Sequence, residues 1–536
     1  MKKRKQNDIT TSEMPKPPRG DASRLKARYI PFRFLFVVFL IVLGTLILCA
    51  SVSALAYFFK LYAVIPIIII YVLCILKLIR SEDNPDYKIP WLILIFIVPV
   101  FGLVCYLTFY SRRLPKSQQR LIKAAREKQE FKDDTQELAE LKDLSPLAYG
   151  QVKMLCAQSG VHLYKNTRIE YFPLGEDMFA GMLEDLKHAE NFIFMEYFII
   201  ERGTFWNTVL DILKEKAASG VVVAVVYDDI GSMRTLPGNY FKKLRKQNIH
   251  AVPFSRFRAT SDGEFNNRSH RKITVIDGKI GYTGGINIAD EYINVTHPLG
   301  HWKDTAVRLE GEAVFELMKM IVVDYAMNVI KREKKRFDFD FESLGKPVFE
   351  NQYEGFVVPF GDGPVPVYRE NVAKNIFIAI LSQAKEYVYI TTPYLIIDNE
   401  LSNAISAAAA RGVDVRIIVP HIADKKIIHF MTHSYYPRLV KSGVKIYEYT
   451  LGFIHSKLMI SDDTTGVVGT INLDYRSLVH HFEDGVWFYN SPVLADIKRD
   501  FLETVEKSAL VKPEHIKNNV FRRLTESFIR LFAPML

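Results

Sequence analysis

Long uncharged apolar runs dominate the chain between residues 34 and 110. They are Phe34 to Phe59, Leu61 to Leu76 and Ile89 to Tyr110. As helices, the first and third could cross a hydrocarbon core of about 30 Å, whereas the second is shorter and contains Pro66. Buried helices of a soluble protein are the alternative, but all three runs precede any segment of mixed polarity. Residues 34–110 are therefore predicted to form a transmembrane region of two or three spans.

Both flanks of these runs are polar and basic. Residues 1–33 are rich in lysine, arginine and proline without a signal-peptide cleavage site, which predicts a disordered tail near anionic headgroups. Residues 111–150 mix charges with leucines, which predicts a helical connector at the membrane surface or, equally, a solvated linker. Basic flanks favour the cytoplasm and an even number of crossings, although three runs give an odd number. We expect a multi-pass membrane protein whose body, from residue 151 onward, lies in the cytoplasm.

From residue 151 onward the chain repeats one alternation of strands and helices. The strand-like runs are Asn191 to Ile200, Gly220 to Tyr227 and His250 to Phe254 in the first half, and Tyr387 to Ile397, Gly412 to Pro420 and Gly443 to Tyr449 in the second. A helical pattern separates the first two runs of each half, at Trp206 to Ala218 and at Asn399 to Arg411. This alternation predicts an α/β fold of two duplicated halves, 151–345 and 346–512, divided near Lys331 to Lys346.

The last segment, 513–536, is amphipathic. Val520, Leu524, Phe528 and Leu531 recur at helical spacing with arginines between them. The pattern predicts a helix that either docks on the catalytic body or lies at the bilayer surface.

The amino-acid composition indicates an acidic binding partner. Hydrophobic residues make up 49% of the 536 positions and charged residues 24%, with a formal net charge of +10. Such a charge suits anionic lipid or nucleic acid. The four cysteines, Cys49, Cys74, Cys105 and Cys156, lack metal-ligand spacing, which indicates reduced, packed side chains rather than a disulfide framework.

Two copies of the motif H-x-K-x4-D contain the candidate catalytic residues. The first copy is His270, Lys272 and Asp277, and the second is His455, Lys457 and Asp462. Each histidine is followed 17 residues later by an asparagine, Asn287 in the first half and Asn472 in the second. One copy in a long chain would be weak evidence, but two copies with matching tails are not accidental. They predict one active site at the seam of the halves.

The spacing of each motif suits phosphate chemistry. Residues two apart on a strand share a face, so histidine and lysine point the same way. Lysine and asparagine can bind phosphate oxygens, while histidine can attack phosphorus or protonate a leaving oxygen. Two such sets neutralise a phosphodiester, so no metal and no other cofactor is expected. Asp277 and Asp462 join the catalytic sets through the motif, although their position five residues beyond the lysines favours a structural role.

The sequence resembles the phospholipase D superfamily and, within it, the bacterial cardiolipin synthases. Besides both signatures, the resemblance rests on Phe194 to Phe198, Gly284 to Tyr292, His301 to Thr305, Thr392 to Tyr394 and Asn472 to Ser477. It implies two phospholipase D-like α/β/α sandwich halves. It also implies transfer of a phosphatidyl group between two phosphatidylglycerols, which yields cardiolipin and glycerol through a phosphohistidine. For this reaction we assign His270 as the nucleophile and His455 as the acid and base.

Further polar residues are candidates for the same site. Glu291 and Glu483 follow the signatures and could fix the tautomer of the histidine in the other half, unless they are ordinary surface carboxylates. Glu196 and Tyr394 follow apolar strand residues in corresponding positions of the two halves, and a carboxylate in such a place is costly unless it is used. We expect them to bind substrate together with Asn287 and Asn472.

Other functions are open at this point. The chain could be a hydrolytic phospholipase D or a transferase for another alcohol, a nuclease, or a non-enzymatic membrane scaffold. The basic residues concentrate beside the apolar runs with little aromatic interleaving, which disfavours nucleic acid as a partner. Both His-Lys-Asn sets are complete, which disfavours the scaffold.

Overall fold

The computed structural model describes residues 61–535, apart from 82, 111–115, 128–134, 257–265, 330–348, 350–352, 365–367, 369 and 517–518, together with scattered residues of 43–57. The predicted tail 1–33, most of the first apolar run and the predicted boundary at Lys331 to Lys346 lie outside the described residues.

Two sheets of the same design form the catalytic body. The order in the first is Thr167–Phe172, Ala306–Gly311, Ile280–Gly284, Lys272–Ile276, Phe192–Tyr197, Val222–Asp228 and His250–Phe254. The order in the second is Ser508–Leu510, Lys445–Tyr449, Asp414–Pro420, Tyr387–Thr391, Leu458–Ser461, Thr465–Gly469, Glu483–Tyr489 and Phe356–Asp362. In each sheet three neighbouring strands are parallel, and the strand that follows the signature runs antiparallel beside them. The predicted duplicated α/β fold is confirmed.

Helices cover both sheets. Those of the body are Gly175–Lys187, Thr204–Ala218, Tyr240–Arg245, Val314–Asn328, Val372–Gln383, Asn399–Ala410, Lys426–Lys441 and Val493–Glu506. Along Phe192–Tyr197, Phe194 joins the larger apolar core, which extends through both halves, whereas Ile193 and Met195 join a second core on the other face. This two-residue alternation buries both faces of the strand, as expected for a sheet between helical layers.

The two halves are joined by short strand pairs as well as by the larger core. Gly452–Ile454 pairs in parallel with His301–Lys303, and Ser269 forms a bridge to Phe482. Gly452 has no space for a side chain, because a Cβ there would lie 2.1 Å from the carbonyl oxygen of His301. These contacts hold the loops of the two signatures against each other.

The region before the body is helical but differs from the predicted spans. Its helices are Leu61–Arg80, Pro85–Ile97, Pro99–Phe109, Lys116–Glu127, Gln136–Leu144 and Pro146–Ser159. The predicted single span Ile89 to Tyr110 is wrong: the helix stops at Val98 before Pro99, and the two pieces fold back on each other. Trp91 lies 6.1 Å from Tyr106, ring centroid to centroid, although the sequence placed them at opposite edges of one span. A Cβ at Gly102 would lie 2.3 Å from the Leu94 oxygen, so glycine permits this close packing.

No helix within the described part of the chain combines the length and apolarity that a bilayer crossing requires. The hairpin formed by Pro85–Ile97 and Pro99–Phe109 instead contacts the second half of the body. Asn84 Nδ2 donates to Asp398 at 2.9 Å, Asp86 accepts the Asn399 amide at 2.9 Å, and the Tyr87 ring lies 5.3 Å from that of His480. The start of the hairpin therefore packs beside the segment that leads to Glu483.

Candidate active site

Each signature histidine is bound through its backbone amide to the opposite half of the body. The His270 amide donates to the Phe482 oxygen at 2.8 Å, and the His455 amide donates to the Lys303 oxygen at 2.7 Å. These reciprocal backbone bonds fix each histidine just before its strand, Lys272–Ile276 or Leu458–Ser461. Both side chains are nearly enclosed, with His270 7% and His455 6% exposed.

A carboxylate from the second half holds the first histidine. His270 Nδ1 lies 3.0 Å from Glu483 Oε2, and Thr470 Oγ1 donates to the same carboxylate. An ionised carboxylate at Nδ1 keeps the proton there and leaves Nε2 as the reactive nitrogen. The structure thus places Glu483 where the sequence expected it, on the histidine of the other half.

The second histidine, His455, is bound by a carboxylate of the first half, and this carboxylate belongs to Asp304. His455 Nδ1 lies 2.6 Å from Asp304 Oδ2, which corrects the expectation that Glu291 occupies this place. Glu291 lies in the short helix Asp290–Ile293 and is only half-buried. The position of Asp304 resembles that of Glu483: Asp304 lies two residues before the antiparallel strand Ala306–Gly311, and Glu483 is the first residue of the antiparallel strand Glu483–Tyr489. The segment from Asn287 to Asp304 is longer than the segment from Asn472 to Glu483. A comparison of the two halves at equal distances from the signatures therefore misses this correspondence.

Both signature lysines are buried beside the imidazoles. Lys457 Nζ lies 2.8 Å from His455 Nδ1, and Lys272 donates to the His270 carbonyl oxygen. Burial lowers the pKa of Lys272 to about 8 and that of Lys457 to about 7, with Glu483 and Asp304 opposing the effect. Burial also lowers the pKa of His270 to about 3 and takes the pKa of His455 well below its usual value. Lys272 contributes to the effect on His455, so the two sets lie within electrostatic reach of each other across the seam.

The two orienting carboxylates differ in their affinity for a proton. Burial raises the pKa of Asp304 to about 7, and Lys457 only partly offsets this. Burial would likewise raise the pKa of Glu483, but His270 and its hydrogen bond hold that pKa below the usual range. Burial therefore favours a proton on Asp304, whereas His270 disfavours a proton on Glu483.

The two signature asparagines are not equivalent. Asn287 Oδ1 accepts the Ile199 amide at 3.0 Å, and its Nδ2 donates to the Tyr292 hydroxyl at 2.8 Å. Asn287 is thus bound within the protein itself, against the expectation of a substrate-binding role. Asn472 is also buried, yet its Oδ1 has no hydrogen-bond partner within the described part of the chain.

Glu196 and Tyr394 do not occupy matching positions at the site. Glu196 is completely buried, accepts from Ser269 Oγ at 2.5 Å, and lies near Arg271 and Asp324. Burial and the neighbouring Asp324 raise its pKa well above the usual value. Because Glu196 is fully enclosed and is bonded to Ser269, its expected role as a substrate ligand is corrected. Tyr394 donates to Asp424 at 2.6 Å.

The register explains that mistake. Glu196 pairs with Ile273 in the first half, and the corresponding pair in the second half is Thr391 with Leu458. The counterpart of Glu196 is therefore Thr391, and Tyr394 lies three residues further along the chain.

The motif aspartates Asp277 and Asp462 accept hydrogen bonds from backbone amides at the ends of the two sheets. Asp277 accepts the amides of Glu190, Asn191 and Phe192 at 2.7 to 2.8 Å, and Asp462 accepts those of Lys385, Glu386 and Tyr387 at 2.8 to 3.0 Å. Asp277 directly follows the strand Lys272–Ile276, and Asp462 directly follows the strand Leu458–Ser461. Both aspartates have positive φ. Their inclusion in the catalytic sets is corrected: they bind the turn that starts the neighbouring strand.

Aromatic rings and one further histidine surround the imidazoles. Around His455 the ring centroids of Tyr292 and Trp302 lie at 5.4 and 5.8 Å. Around His270 those of Phe198 and His481 lie at 5.0 and 5.6 Å. The donor atoms of His270, His481 and Glu483 come within 4.8 Å of one another, so this group could hold a metal ion. In the observed geometry His270 and Glu483 are instead hydrogen-bonded to each other.

The chain that forms this site is similar to known proteins in sequence and in fold. The family described as "Cardiolipin synthase, PLD-like domain" matches residues 182–312 and 377–505, and the family described as "Phospholipase_D-nuclease N-terminal" matches residues 69–109. The phosphatidylserine synthase structure from Haemophilus influenzae superposes with a TM-score of 0.53 over 72% of this chain and 97% of that one, at 15% identity.

Full-length relatives carry more specific names. A cardiolipin synthase of Geobacillus kaustophilus is 32% identical and covers 86% of this chain and 91% of its own. Cardiolipin synthase 2 of Bacillus cereus is also 32% identical, over 85% of this chain and 88% of its own. An uncharacterised protein of Streptococcus mutans is 41% identical, over 86% and 99%. The chain therefore belongs to the cardiolipin synthase family and is a phosphatidyltransferase of the phospholipase D type.

Proposed function

We propose that this enzyme joins two phosphatidylglycerol molecules into cardiolipin and glycerol through a phosphohistidine. The proposal rests mainly on the reciprocal pairing of His270 with Glu483 and of His455 with Asp304. Two oriented imidazoles beside two lysines form a nucleophile and an acid around one phosphodiester. In this reading residues 151–345 and 346–512 each supply half of one site.

In the first step His270 Nε2 attacks phosphorus and the bond to the headgroup glycerol breaks. His455 gives its proton to the departing glycerol oxygen, which leaves a phosphatidyl group on His270. The assignment of roles is supported by the carboxylates. Glu483 stays ionised and keeps His270 a neutral nucleophile, whereas Asp304, with its pKa of about 7, lets the His455 pair hold the proton that the leaving group needs.

In the second step the headgroup hydroxyl of another phosphatidylglycerol gives its proton to His455. The oxygen of that hydroxyl attacks phosphorus, the bond between phosphorus and His270 Nε2 breaks, and His270 is released. Lys272, Lys457 and Asn472 would bind the non-bridging oxygens, whose charge raises the lowered pKa of both lysines again. The near-complete burial of all four His and Lys side chains excludes water, which favours transfer over hydrolysis.

Membrane attachment completes the proposal. Residues 34–110 would hold the enzyme in the bacterial cell membrane, with the body in the cytoplasm. Support comes from the exposed apolar side chains of this region, including Ile69, Phe96, Ile97 and Leu107. Labelling of single cysteines in the body from either side of sealed vesicles tests the orientation, and reaction from the outer side alone would contradict it.

Product analysis tests the reaction. Purified enzyme with labelled phosphatidylglycerol should yield cardiolipin and glycerol by mass spectrometry, and both His270→Ala and His455→Ala should abolish this product. His188→Ala is the matched control, because His188 is an exposed histidine outside the site. Phosphatidic acid as the sole product would establish hydrolysis instead, and a product formed only with an added alcohol would establish another transferase.

A further inference from the structure

The C-terminal helix Val520–Leu531 packs on the body through a side that carries Arg522, Arg530 and the partly buried Ile529. The Arg530 guanidinium lies 4.4 Å from the ring centroid of Tyr435, and that of Arg522 lies 5.7 Å from the ring centroid of Phe430. Arg522 also donates to Glu526 at 2.6 Å, so the charges on this side are used within the protein. Both aromatic partners belong to Lys426–Lys441, the helix beneath.

The opposite side of the helix is apolar and exposed. Val520, Phe521, Leu524 and Phe528 fall on one arc and are 72, 80, 66 and 65% exposed. A helix that docks on a protein by the hydrophobic effect buries such an arc and turns its arginines outward. This helix does dock on the body, as the first of the two sequence alternatives states, but the contact uses Arg522, Ile529 and Arg530 and leaves the apolar arc exposed.

The helix that carries the exposed arc also contacts a second helix with exposed apolar side chains. Val520–Leu531 and the residues after it contact Pro85–Ile97 of the N-terminal hairpin, whose Phe96 and Ile97 are exposed. Arg523 is exposed beside the arc, where its guanidinium could bind an anionic headgroup. A bilayer would remove the apolar arc from water and meet Arg523 with its headgroups.

We propose that Val520–Leu531 lies in the surface of an anionic phospholipid bilayer, as a second membrane contact from the far end of the chain. Its four apolar side chains would lie about 5–10 Å below the headgroups, as in other interfacial helices. The helix would then hold Lys426–Lys441 and the second half of the body against the membrane. This inference goes beyond the proposed reaction and does not depend on which phospholipid reacts.

Site-directed fluorescence in proteoliposomes tests the contact. The full-length chain, with Cys49, Cys74, Cys105 and Cys156 replaced by alanine, receives an environment-sensitive NBD label at Phe528→Cys or Phe521→Cys. The vesicles contain phosphatidylglycerol and phosphatidylcholine, with or without lipids that carry a quencher just below the headgroup. Asp211→Cys, an exposed polar position on Thr204–Ala218, is the control.

The labels at 528 and 521 should show blue-shifted emission and lose more than half of it to the quenching lipids, whereas the label at 211 should show neither effect. Water-like, unquenched emission at 528 and 521 would overturn the proposal. Blue-shifted emission that lipid does not quench, with disulfide cross-linking between two copies of the unlabelled Phe528→Cys variant, would assign the arc to a second copy and overturn it equally. The readout needs no turnover, so it stands apart from any failure of the proposed reaction.

Discussion

His270 and Glu483 lie 213 positions apart in the chain, yet their side chains share a hydrogen bond of 3.0 Å. The relationship is reciprocal, because His455 and Asp304 are joined across the same seam in the opposite direction. Neither half therefore contains both a signature histidine and the carboxylate that binds it. Duplication here produces one site with two unlike imidazoles, since the proton affinities of the two carboxylates differ.

The first prediction concerns these carboxylates as positioning residues. Glu483→Gln and Asp304→Asn should each slow cardiolipin formation by about 10²- to 10⁴-fold, because the amide no longer fixes the imidazole tautomer. The measurement is the rate with phosphatidylglycerol, with thermal unfolding as the check on structure.

A substrate with a nitrophenol leaving group separates the two roles. Nitrophenolate leaves without a proton, so Asp304→Asn should keep a burst of nitrophenol release while Glu483→Gln loses it. A burst retained by Glu483→Gln and lost by Asp304→Asn would reverse the assignment of nucleophile and acid.

The second prediction is a fall in activity at alkaline pH. Lys272 and Lys457 bind phosphate only when protonated, and their pKa values in the free enzyme are lowered to about 8 and about 7. Raising the pH through this range removes their charge, so kcat/KM, which reports the free enzyme, should decline between about pH 7 and 8.

In the complex the phosphate anion raises both lysine pKa values, so kcat should decline only at higher pH. The pH profiles of kcat/KM and kcat, measured separately, check this. Coincident alkaline limbs, or a kcat/KM that stays flat to pH 9, would contradict the role of the lysines.

The third prediction is that Asp277 and Asp462 act on stability and not on chemistry. Asp277→Ala removes three amide hydrogen bonds at a residue with positive φ and should cost about 2–3 kcal/mol. Asp277→Asn keeps an acceptor and tolerates that backbone, so it should cost less. Denaturant unfolding measures the loss, and turnover per folded enzyme should stay within about twofold of the parent. A large fall in turnover without a loss of stability would restore Asp277 to the catalytic set.

The fourth prediction uses a glycine to displace a carboxylate. A Cβ at Gly285 would lie 2.0 Å from Asp304 Oδ1, so Gly285→Ala should push Asp304 off His455. We expect a rate loss close to that of Asp304→Asn, with the nitrophenol burst retained. Gly238→Ala is the control, since nothing lies within 4 Å of its Cβ position. Equal activity of the two alanine variants would show that Asp304 does not position His455.

Much of the fold followed from local patterns. The strand-like run Asn191 to Ile200 predicted a strand, and the structure places Phe194 and Met195 of this strand in apolar layers on its two faces. The repeat of His270-x-Lys272 at His455-x-Lys457 predicted the duplication and the shared site. Both signals extend over a few residues, where backbone geometry alone fixes which side chains lie together.

Other predictions failed for want of spatial information. Ile89 to Tyr110 reads as one span by apolarity, but Pro99 and the glycine at Gly102 turn it into a tight hairpin. Glu196 and Tyr394 looked equivalent by their distance from apolar runs, whereas sheet register aligns Glu196 with Thr391.

The sequence by itself determined the duplicated α/β halves, the two His-Lys sets and the amphipathic C-terminal segment, because each depends on periodicity and spacing within a short stretch. Only the tertiary structure decided that Asp304 and not Glu291 orients His455, that Asp277 and Asp462 hold turns, and that Val520–Leu531 turns its apolar arc outward. These depend on contacts between residues far apart in the chain, and such contacts are set by packing of the whole molecule, which no local pattern contains.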